Sequence, residues 1–372
     1  MSLEVLPAVA RLSNLVVRVL GQNPGKFSLQ GTNTYLIGSK PPWILVDTGE
    51  GRTEYADVLR DALREEAGLE PESPNSLRGL ISDIVITHRH HDHHGGLPSV
   101  LHLLQNSEHQ AAISNADHTP PRLHKFPLPK KHADPASGFV RLSTSESDTS
   151  LQTLHETLLG QPAHYQTPPD GQQQHPYFHD LEEGQTLQTI DGSATLKVIH
   201  TPGHTADSVS LYLVEERALF TADTVLGHGT AVFEDLAVYM SSLRRMKDVW
   251  QDMERTTDAP GRVYPGHGAV VEDGRVLIEK YIAHRQQRED EIFQLLCSSR
   301  FPGTEAEVRE SEKSWTVEQI VRQLYASYPP SLWPAAGHGV ILHLVKLKEE
   351  GKVRQVDGSI QDLAQQEWLV II

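Results

Sequence analysis

The sequence predicts a mixed α/β (α+β) domain followed by a small winged-helix-like unit. Strand-like runs separated by turns occur in the first third and again after residue 185, and segments of helical period lie between them. Two helical segments and a strand-like run then close the chain. With 372 residues, the chain is long enough for a large unit, which we expect at 1–298, and a smaller one at 312–372.

Short β-branched or aromatic runs at 14–20, 32–38 and 43–49 predict the first strands, since each is bounded by Gly, Pro or Asn. A helical period follows, and its apolar face consists of Tyr55, Val58, Leu59, Ala62 and Leu63. The apolar run 81–87 predicts a buried strand, and "GGLPSVLHLL" is typical of the helix after it.

Residues 106–180 change in character, because Pro, Gln, Ser, Thr and His dominate and only 150–160 has a helical pattern. Two interpretations stay open: a tolerated insertion and a lid that covers the substrate. We expect seven histidines of this stretch to be solvated loop residues: His109, His118, His124, His132, His164, His175 and His179.

Strand-like runs return after residue 185, with a helix predicted around 232–255 and a long one at 274–296. A T-x-x-Q pattern at Thr316 predicts the capped start of the C-terminal unit, whose second helix ends at Gly351. The apolar face of its first helix consists of Val317, Ile320, Val321, Leu324 and Tyr325. Acidic and basic residues are balanced in this unit, which favours packing or homodimerisation over phosphate binding.

The formal charge of -16 argues against a general electrostatic grip on nucleic acid, although bound metals or a local basic patch can reverse the field in a cleft. A single cysteine, Cys297, excludes an internal disulfide framework and fits a reducing compartment. No apolar run is long enough to span a membrane, and the first residues lack a signal-peptide pattern. We therefore expect a cytoplasmic protein, with a mitochondrial location left open.

The stretch "THRHHDHHGG" at 87–96 presents five histidines and an aspartate directly after a predicted strand. By itself it fits a solvated turn or an adventitious metal binder. Three distant turns, "TPGHT", "FTADT" and "YPGHG", add His204, Asp223 and His267 at the ends of other strands. This pattern predicts a metal site, for which imidazole favours zinc and carboxylate also allows manganese or iron.

These motifs resemble the metallo-β-lactamase superfamily, a four-layer αββα sandwich with metals at one edge. "ILVDTGEG", "TPGHTADSVSL", "GHGTAVFEDLAVYMSSL" and "VYPGHGAVVEDG…IEKYIAHRQQRE" further resemble the β-lactamase-like protein 2 family, which includes fungal thioesterases acting on polyketides bound to acyl carrier protein. The resemblance covers nearly the whole chain except 106–180. Arg89 departs from the pattern, since relatives often carry an aromatic residue between the first two histidines.

The resemblance implies two divalent ions, zinc by expectation and manganese as an alternative, with a water or hydroxide between them as the nucleophile. It assigns seven positions: His88, His90 and His204 to the first ion, Asp92, His93 and His267 to the second, and Asp223 as the bridge. Asp92 is a further candidate for holding the proton of the water.

Several other residues are candidates for a supporting role. Asp47 matches a family position that we expect to orient a histidine ligand, with a polar strand cap as the alternative. We expect His91 and His94 to face solvent. The segment "GHGTAVFED" is interpreted either as a structural loop or as a substrate contact through His228, Thr230 and Phe233. "GQNPGKFSLQGTN" lacks the spacing of a phosphate loop.

Four possible functions are compared. An acyl ester or thioester hydrolase, acting on a small or carrier-bound substrate, is favoured by the acidic surface and the lid-like segment. A single-stranded RNA endoribonuclease is favoured by the family resemblance and the winged-helix-like unit. A scaffold without catalysis is disfavoured, because an inactive site has no physical reason to bury unpaired imidazoles and carboxylates. A secreted β-lactamase is disfavoured by the missing export signal. We prefer the acyl hydrolase.

Overall fold

Two β-sheets form the centre of the large unit. The computed structural model describes residues 3–70, 77–105, 120–128, 178–250, 261–298, 314–356 and 363–371. The first sheet has seven strands in spatial order: β1 (Val9–Arg11), β2 (Val16–Leu20), β3 (Asn33–Ile37), β4 (Trp43–Val46), β5 (Ile81–Ile86), β6 (Arg122–Lys125) and β7 (His179–Asp180). Pairing is antiparallel from β1 to β4 and parallel from β4 to β7.

The second sheet has five strands: β8 (Thr186–Gln188), β9 (Thr195–His200), β10 (Val209–Leu213), β11 (Ala218–Ala222) and β12 (Val263–Pro265). Its spatial order is β12-β11-β10-β9-β8, and only the β11–β12 pair is parallel. The helices of the large unit are α1 (Thr53–Glu66), α2 (His91–His94), α3 (Leu97–Gln105), α4 (Leu236–Asp248) and α5 (Gly274–Cys297). Among the described residues, no helix is long and apolar enough to cross a membrane.

The period of two along each strand separates two apolar cores. In β3, Tyr35 and Ile37 face the core between the two sheets, whereas Leu36 faces a core shared with α1 and α3. A third core joins the outer face of the second sheet to α4 and α5, with Tyr212 and Leu219 as sheet members. The layers are therefore helix, sheet, sheet and helix, which confirms the expected four-layer sandwich.

The C-terminal unit contains a three-stranded sheet and two helices. Its strands are β13 (Trp315–Thr316), β14 (Val353–Gln355) and β15 (Glu367–Val370), with β15 central. Its helices are α6 (Val317–Leu324), which has the predicted capping box between Thr316 and Gln319, and α7 (Trp333–Glu349). Ile292 and Leu296 of α5 belong to the core of this unit, so α5 packs against both units. The expected boundary between 298 and 312 remains a prediction.

The expectation for the histidines of 106–180 is wrong for His124. Residues 120–128 include β6, where His124 is buried and its Nε2 lies 2.8 Å from Asp83 Oδ1. That carboxylate pairs with one of the two ring nitrogens, and this contact offsets part of the cost of burying a polar strand inside the sheet. His179 is in β7 and exposed. The predicted helix at 150–160, the five remaining histidines named in that expectation and the lid interpretation fall outside the described residues.

Candidate metal centre

The seven candidate ligands lie at strand ends along one edge of the sandwich. From the first sheet, β5 ends just before His88, and His90 precedes α2, which carries Asp92 and His93. Strands of the second sheet lead to the remaining ligands: β9 to the turn with His204, β11 to Asp223 and β12 to His267. Strand ends fix the backbone while the turns leave the side chains free to converge.

A first group of donor atoms comprises His88, His90, His204 and Asp223, all within 4.8 Å of one another. His88 Nε2 lies 3.0 Å from His90 Nδ1 and 3.3 Å from His204 Nε2, and the His90 and His204 atoms are 3.0 Å apart. Asp223 Oδ2 lies 3.7 Å from His204 Nε2.

A second group comprises Asp92, His93 and His267. His267 Nε2 lies 3.2 Å from Asp92 Oδ2, and His93 Nε2 lies 3.7 Å from the same oxygen. Asp223 faces this group as well, with Oδ1 3.3 Å from His93 Nε2 and Oδ2 3.3 Å from His267 Nε2. One carboxylate therefore lies between the two groups.

Burial and mutual charge shift the pKa values of these ligands in opposite directions. Burial, reinforced by His204, lowers the pKa of His90 to about 3, and burial lowers the pKa of His88 well below its ordinary value. Burial opposes protonation of His267 too, but Asp223 and Asp92 outweigh it and raise its pKa to about 9. Likewise, burial is outweighed by Asp223 and Asp92 for His93, whose pKa is raised well above its ordinary value. A cation bound here would take the place of those protons.

The residues present fit a divalent metal. His93 Nε2 and Asp223 Oδ1 are buried, and neither has a hydrogen-bond partner among the described residues. Buried polar atoms without partners are costly, and here they are aimed at the shared space of the two groups. Five imidazoles and two carboxylates are donors that zinc and similar divalent ions accept.

Asp47 contacts the ligand turn at three atoms. Its Oδ2 lies 2.7 Å from His93 Nδ1 and accepts a hydrogen bond from Thr87 Oγ1 at 2.9 Å, while Oδ1 accepts from Thr87 N at 2.8 Å. The geometry of a strand-end cap and that of a histidine-orienting carboxylate are therefore both present in one residue. Asp47 has a φ of 59°, a left-handed conformation that aspartate tolerates better than most residues.

Two glycines make the close approaches in the site possible. A Cβ at Gly96 would collide with the carbonyl oxygen of Thr48, and one at Gly266 would collide with the carboxylate of Asp223. The Gly95-Gly96 and Pro-Gly-His turns thus bring the ligand segments nearer to the neighbouring strands than any side chain would permit.

The segment 226–233, here called the bridging loop, carries the expected substrate contacts. His228 and Thr230 are exposed. Phe233 is buried, and its ring stacks on that of Tyr239 at 5.0 Å. Whether any of the three contacts a substrate stays a prediction.

The two histidines expected to face solvent differ in their burial. His91 is exposed as expected. The expectation for His94 is wrong, since it is 1% exposed. The short helix α2 turns His94, together with His93, toward the interior.

A buried ion pair close to the ligand turns was missed by sequence reasoning. Lys125 in β6 pairs with Asp207, three residues after His204, and both side chains are buried. Asp207 also accepts a hydrogen bond from Thr205 Oγ1 at 2.8 Å. The only sequence signal is a lysine in a short run beside the apolar Leu123, too weak to predict a partner 82 residues away.

Comparison with known proteins agrees with this geometry. Residues 28–267 match the metallo-beta-lactamase superfamily, and residues 316–363 match the beta-lactamase associated winged helix domain. The chain is 35% identical over 353 residues to the beta-lactamase-like protein 2 homolog of Drosophila melanogaster, covering 95% of this chain and 94% of that protein. It is 31% identical over 324 residues to an atrochrysone carboxyl ACP thioesterase of Claviceps purpurea, covering 87% and 76%.

Two solved structures show the same fold at low identity. A beta-lactamase domain protein from Burkholderia ambifaria aligns with a TM-score of 0.62 and 17% identity over 99% of this chain and 96% of its own. A metallo-beta-lactamase family protein from Thermus thermophilus gives a TM-score of 0.57 and 20% identity over 97% and 100%. The chain belongs to the metallo-β-lactamase superfamily. It is a hydrolase of that superfamily and carries a C-terminal winged helix domain.

Proposed function

We propose that the protein is a binuclear metal-dependent hydrolase that cleaves an ester or thioester. The observation that carries the proposal is the position of Asp223 between the two donor groups: its carboxylate faces His204 of the first group, and His93 and His267 of the second. The thioester is supported by two fungal relatives named atrochrysone carboxyl ACP thioesterase, from Claviceps purpurea and Passalora fulva. An acyl chain on an acyl carrier protein is the corresponding substrate class.

In this proposal, the first group of donors would hold one ion and the second group the other, with Asp223 between them. Zinc is the expected metal and manganese the alternative. Bound divalent ions would supply the positive charge that acidifies a water and polarises the acyl carbonyl.

The residues of the chain supply positioning and proton handling. Asp92 has the more exposed carboxylate of the two, with 29% of its side chain accessible against 13% for Asp223. Its Oδ2 is 3.3 Å from Thr32 Oγ1, a donor that fixes its orientation. We propose that Asp92 accepts the proton of the attacking water, that Asp47 orients His93, and that His228 and Thr230 contact the substrate beside the ligands.

A second candidate, cleavage of single-stranded RNA, is kept because of the winged helix domain at 316–363. Such units often contact nucleic acid. Charge argues against it, since the chain has a formal charge of -16 and two lysines of its winged helix are paired with carboxylates: Lys346 contacts Glu289 and Glu350, and Lys352 contacts Glu350.

The test uses the full chain, stripped of metal and reloaded with zinc or manganese. An acyl-N-acetylcysteamine thioester, followed by thiol release, and an end-labelled single-stranded RNA are offered in parallel. We expect metal-dependent thioester hydrolysis that falls by roughly 10²- to 10⁴-fold in Asp92→Asn. Asp191→Asn changes an exposed aspartate in the turn after β8 and serves as the matched control.

Either substrate outcome is informative. RNA cleavage that disappears in Asp92→Asn, without thioester hydrolysis, would replace the proposal by the ribonuclease alternative. Hydrolysis that survives in Asp92→Asn as fully as in Asp191→Asn would overturn the role given to Asp92.

A further inference from the structure

The bridging loop contacts two of the ligand histidines through its backbone. Gly227 N donates a hydrogen bond to His267 O at 2.9 Å, at the start of the loop. At its end, the carbonyl oxygen of Val232 lies 2.7 Å from His204 Nδ1 and accepts the hydrogen bond of that ring. Because Nε2 of the same ring faces His88 and His90, the position of the Val232 carbonyl determines where that nitrogen points.

Val232 is not anchored by its own side chain, which is 58% exposed. Its two neighbours are anchored instead, and by the same group. Arg285 in α5 donates from Nη2 to the carbonyl oxygen of Ala231 at 2.9 Å, and its Cζ lies 4.7 Å from the centre of the Phe233 ring. The same ring also stacks on Tyr239, so Phe233 contacts both a guanidinium and a phenol ring.

Packing alone does not explain the arginine at position 285, because placing a cation there costs folding free energy. Burial lowers the pKa of its guanidinium, its Nε has no hydrogen-bond partner, and none of the described carboxylates forms an ion pair with it. Arg285 is partly buried, and a cation withdrawn from water without a carboxylate partner costs free energy that other contacts must offset. Its two contacts lie on either side of the one carbonyl that orients His204.

We propose that Arg285 is a positioning residue for His204: by holding Ala231 and Phe233, it fixes the Val232 carbonyl and thereby the direction of His204 Nε2. The inference rests on the metal site proposed above, because its consequence is the affinity of the first donor group for an ion. Residues that orient a metal-binding histidine typically change metal affinity by roughly 10- to 100-fold when removed.

The chain offers a matched control one turn along the same helix. Arg288 also lies over an aromatic ring, with its Cζ 4.5 Å from the centre of Tyr325, and it pairs with Glu291 at 3.0 Å. It faces the winged helix, not the bridging loop. Arg285→Met and Arg288→Met therefore remove the same groups from the same helix, but only the first removes the support of Val232.

The experiment is a cobalt(II) titration of the metal-free full-length protein against a competing chelator, with the visible absorption of bound cobalt recorded at each step. Wild type, Arg285→Met, Arg285→Lys and Arg288→Met are compared, along with the melting temperature of each metal-free protein. We expect Arg285→Met to bind one of its cobalt ions, the one held by the first donor group, about 10- to 100-fold less tightly, with an altered spectrum. Arg288→Met should match wild type in cobalt affinity and in spectrum, even if its melting temperature falls as much as that of Arg285→Met.

Several outcomes would overturn the inference. If Arg285→Met binds cobalt with the affinity and the spectrum of wild type, the inference is wrong. If Arg285→Met does not fold, Arg285→Lys carries the test, because lysine keeps one donor but loses the flat contact with Phe233. We expect Arg285→Lys to lose about 10-fold in cobalt affinity. An unchanged affinity in this variant would contradict the inference. A wild-type protein that binds no cobalt would overturn the metal site itself, which is a distinct failure.

Discussion

His93 and Asp47 form a buried pair in which Nδ1 of the imidazole lies 2.7 Å from Oδ2 of the carboxylate. The other nitrogen of the same ring, Nε2, lies 3.3 Å from Asp223 Oδ1. One nitrogen is thus committed to Asp47, and this fixes the tautomer that presents the other nitrogen to the ligand group.

Replacing Asp47 by Asn should weaken metal binding by roughly 10- to 100-fold, because the amide cannot both accept from His93 and raise the basicity of its ring. Asn preserves the left-handed backbone at this position. Chelator competition measures the effect. Asp83→Asn alters an equally buried carboxylate of the first sheet that contacts none of the candidate ligands, and should leave affinity unchanged. Equal affinities in both variants would contradict the role of Asp47.

Asp83 gives a pH-dependent prediction. Burial raises the pKa of its carboxyl, but hydrogen bonds from His124 and Arg122 outweigh this and lower the pKa to about 2. A lowered folded pKa means that the stabilisation is present above about pH 4 and is lost as the pH falls towards 2. The free energy of unfolding of the metal-free wild type, measured in urea at pH 6, should exceed that of Asp83→Asn by about 2 kcal/mol. The difference should shrink at pH 3, and a constant difference would argue against the ionised carboxylate.

Gly96→Ala should prevent the ligand turn from forming, since its Cβ would collide with the Thr48 carbonyl. We expect a fall in the free energy of unfolding of more than about 3 kcal/mol and loss of metal binding. Gly339→Ala in α7 meets no atom within 4 Å and should instead stabilise the protein by about 0.5–1 kcal/mol. Thermal unfolding of the two variants distinguishes the close approach from a general effect of replacing glycine.

The buried pair Lys125–Asp207 predicts a strong coupling energy. Lys125→Met alone leaves the Asp207 carboxylate buried without its cation and should cost about 3–5 kcal/mol. Adding Asp207→Asn removes the stranded charge, so the double variant should recover much of that loss. A double-mutant cycle in urea measures the coupling. Simple addition of the two single effects would show that the pair is not coupled.

The winged helix domain depends on α5 for part of its core. Ile292 is fully buried there, and Ile292→Ala should lower the free energy of unfolding by about 2–5 kcal/mol. Ile190, with 69% of its surface exposed, is the matched control and should change by less than about 0.5 kcal/mol. Similar effects at both positions would mean that α5 does not support the C-terminal core.

The sequence was most informative where a side chain's role depends on its own segment. The turn 87–96 and the strand ends at His204, Asp223 and His267 could be predicted as one site because each motif is local. The short apolar runs at 14–20, 32–38, 43–49 and 81–87 likewise predicted the strands β2 to β5.

Roles that depend on distant partners could not be predicted. His124 and Lys125 belong to a polar run, and the fold brings Asp83 and Asp207 to them, which offsets part of the free-energy cost of their burial. Arg285 sits in a helix of mixed charge, where nothing local distinguishes it from Arg288. Its contact with the Ala231 carbonyl spans 54 residues.

The candidate ligands are divided between the two sheets: four follow β5 of the first, and three follow strands of the second. Neither half of the sandwich contains a full set of donors by itself. An ion bound by ligands from both sheets would therefore cross-link them, and the two sheets could not separate without releasing the ion. At a free metal concentration about a thousandfold above its Kd, metal binding would raise the free energy needed to separate the two sheets by about 4 kcal/mol. The supply of metal would therefore control how often the two sheets separate.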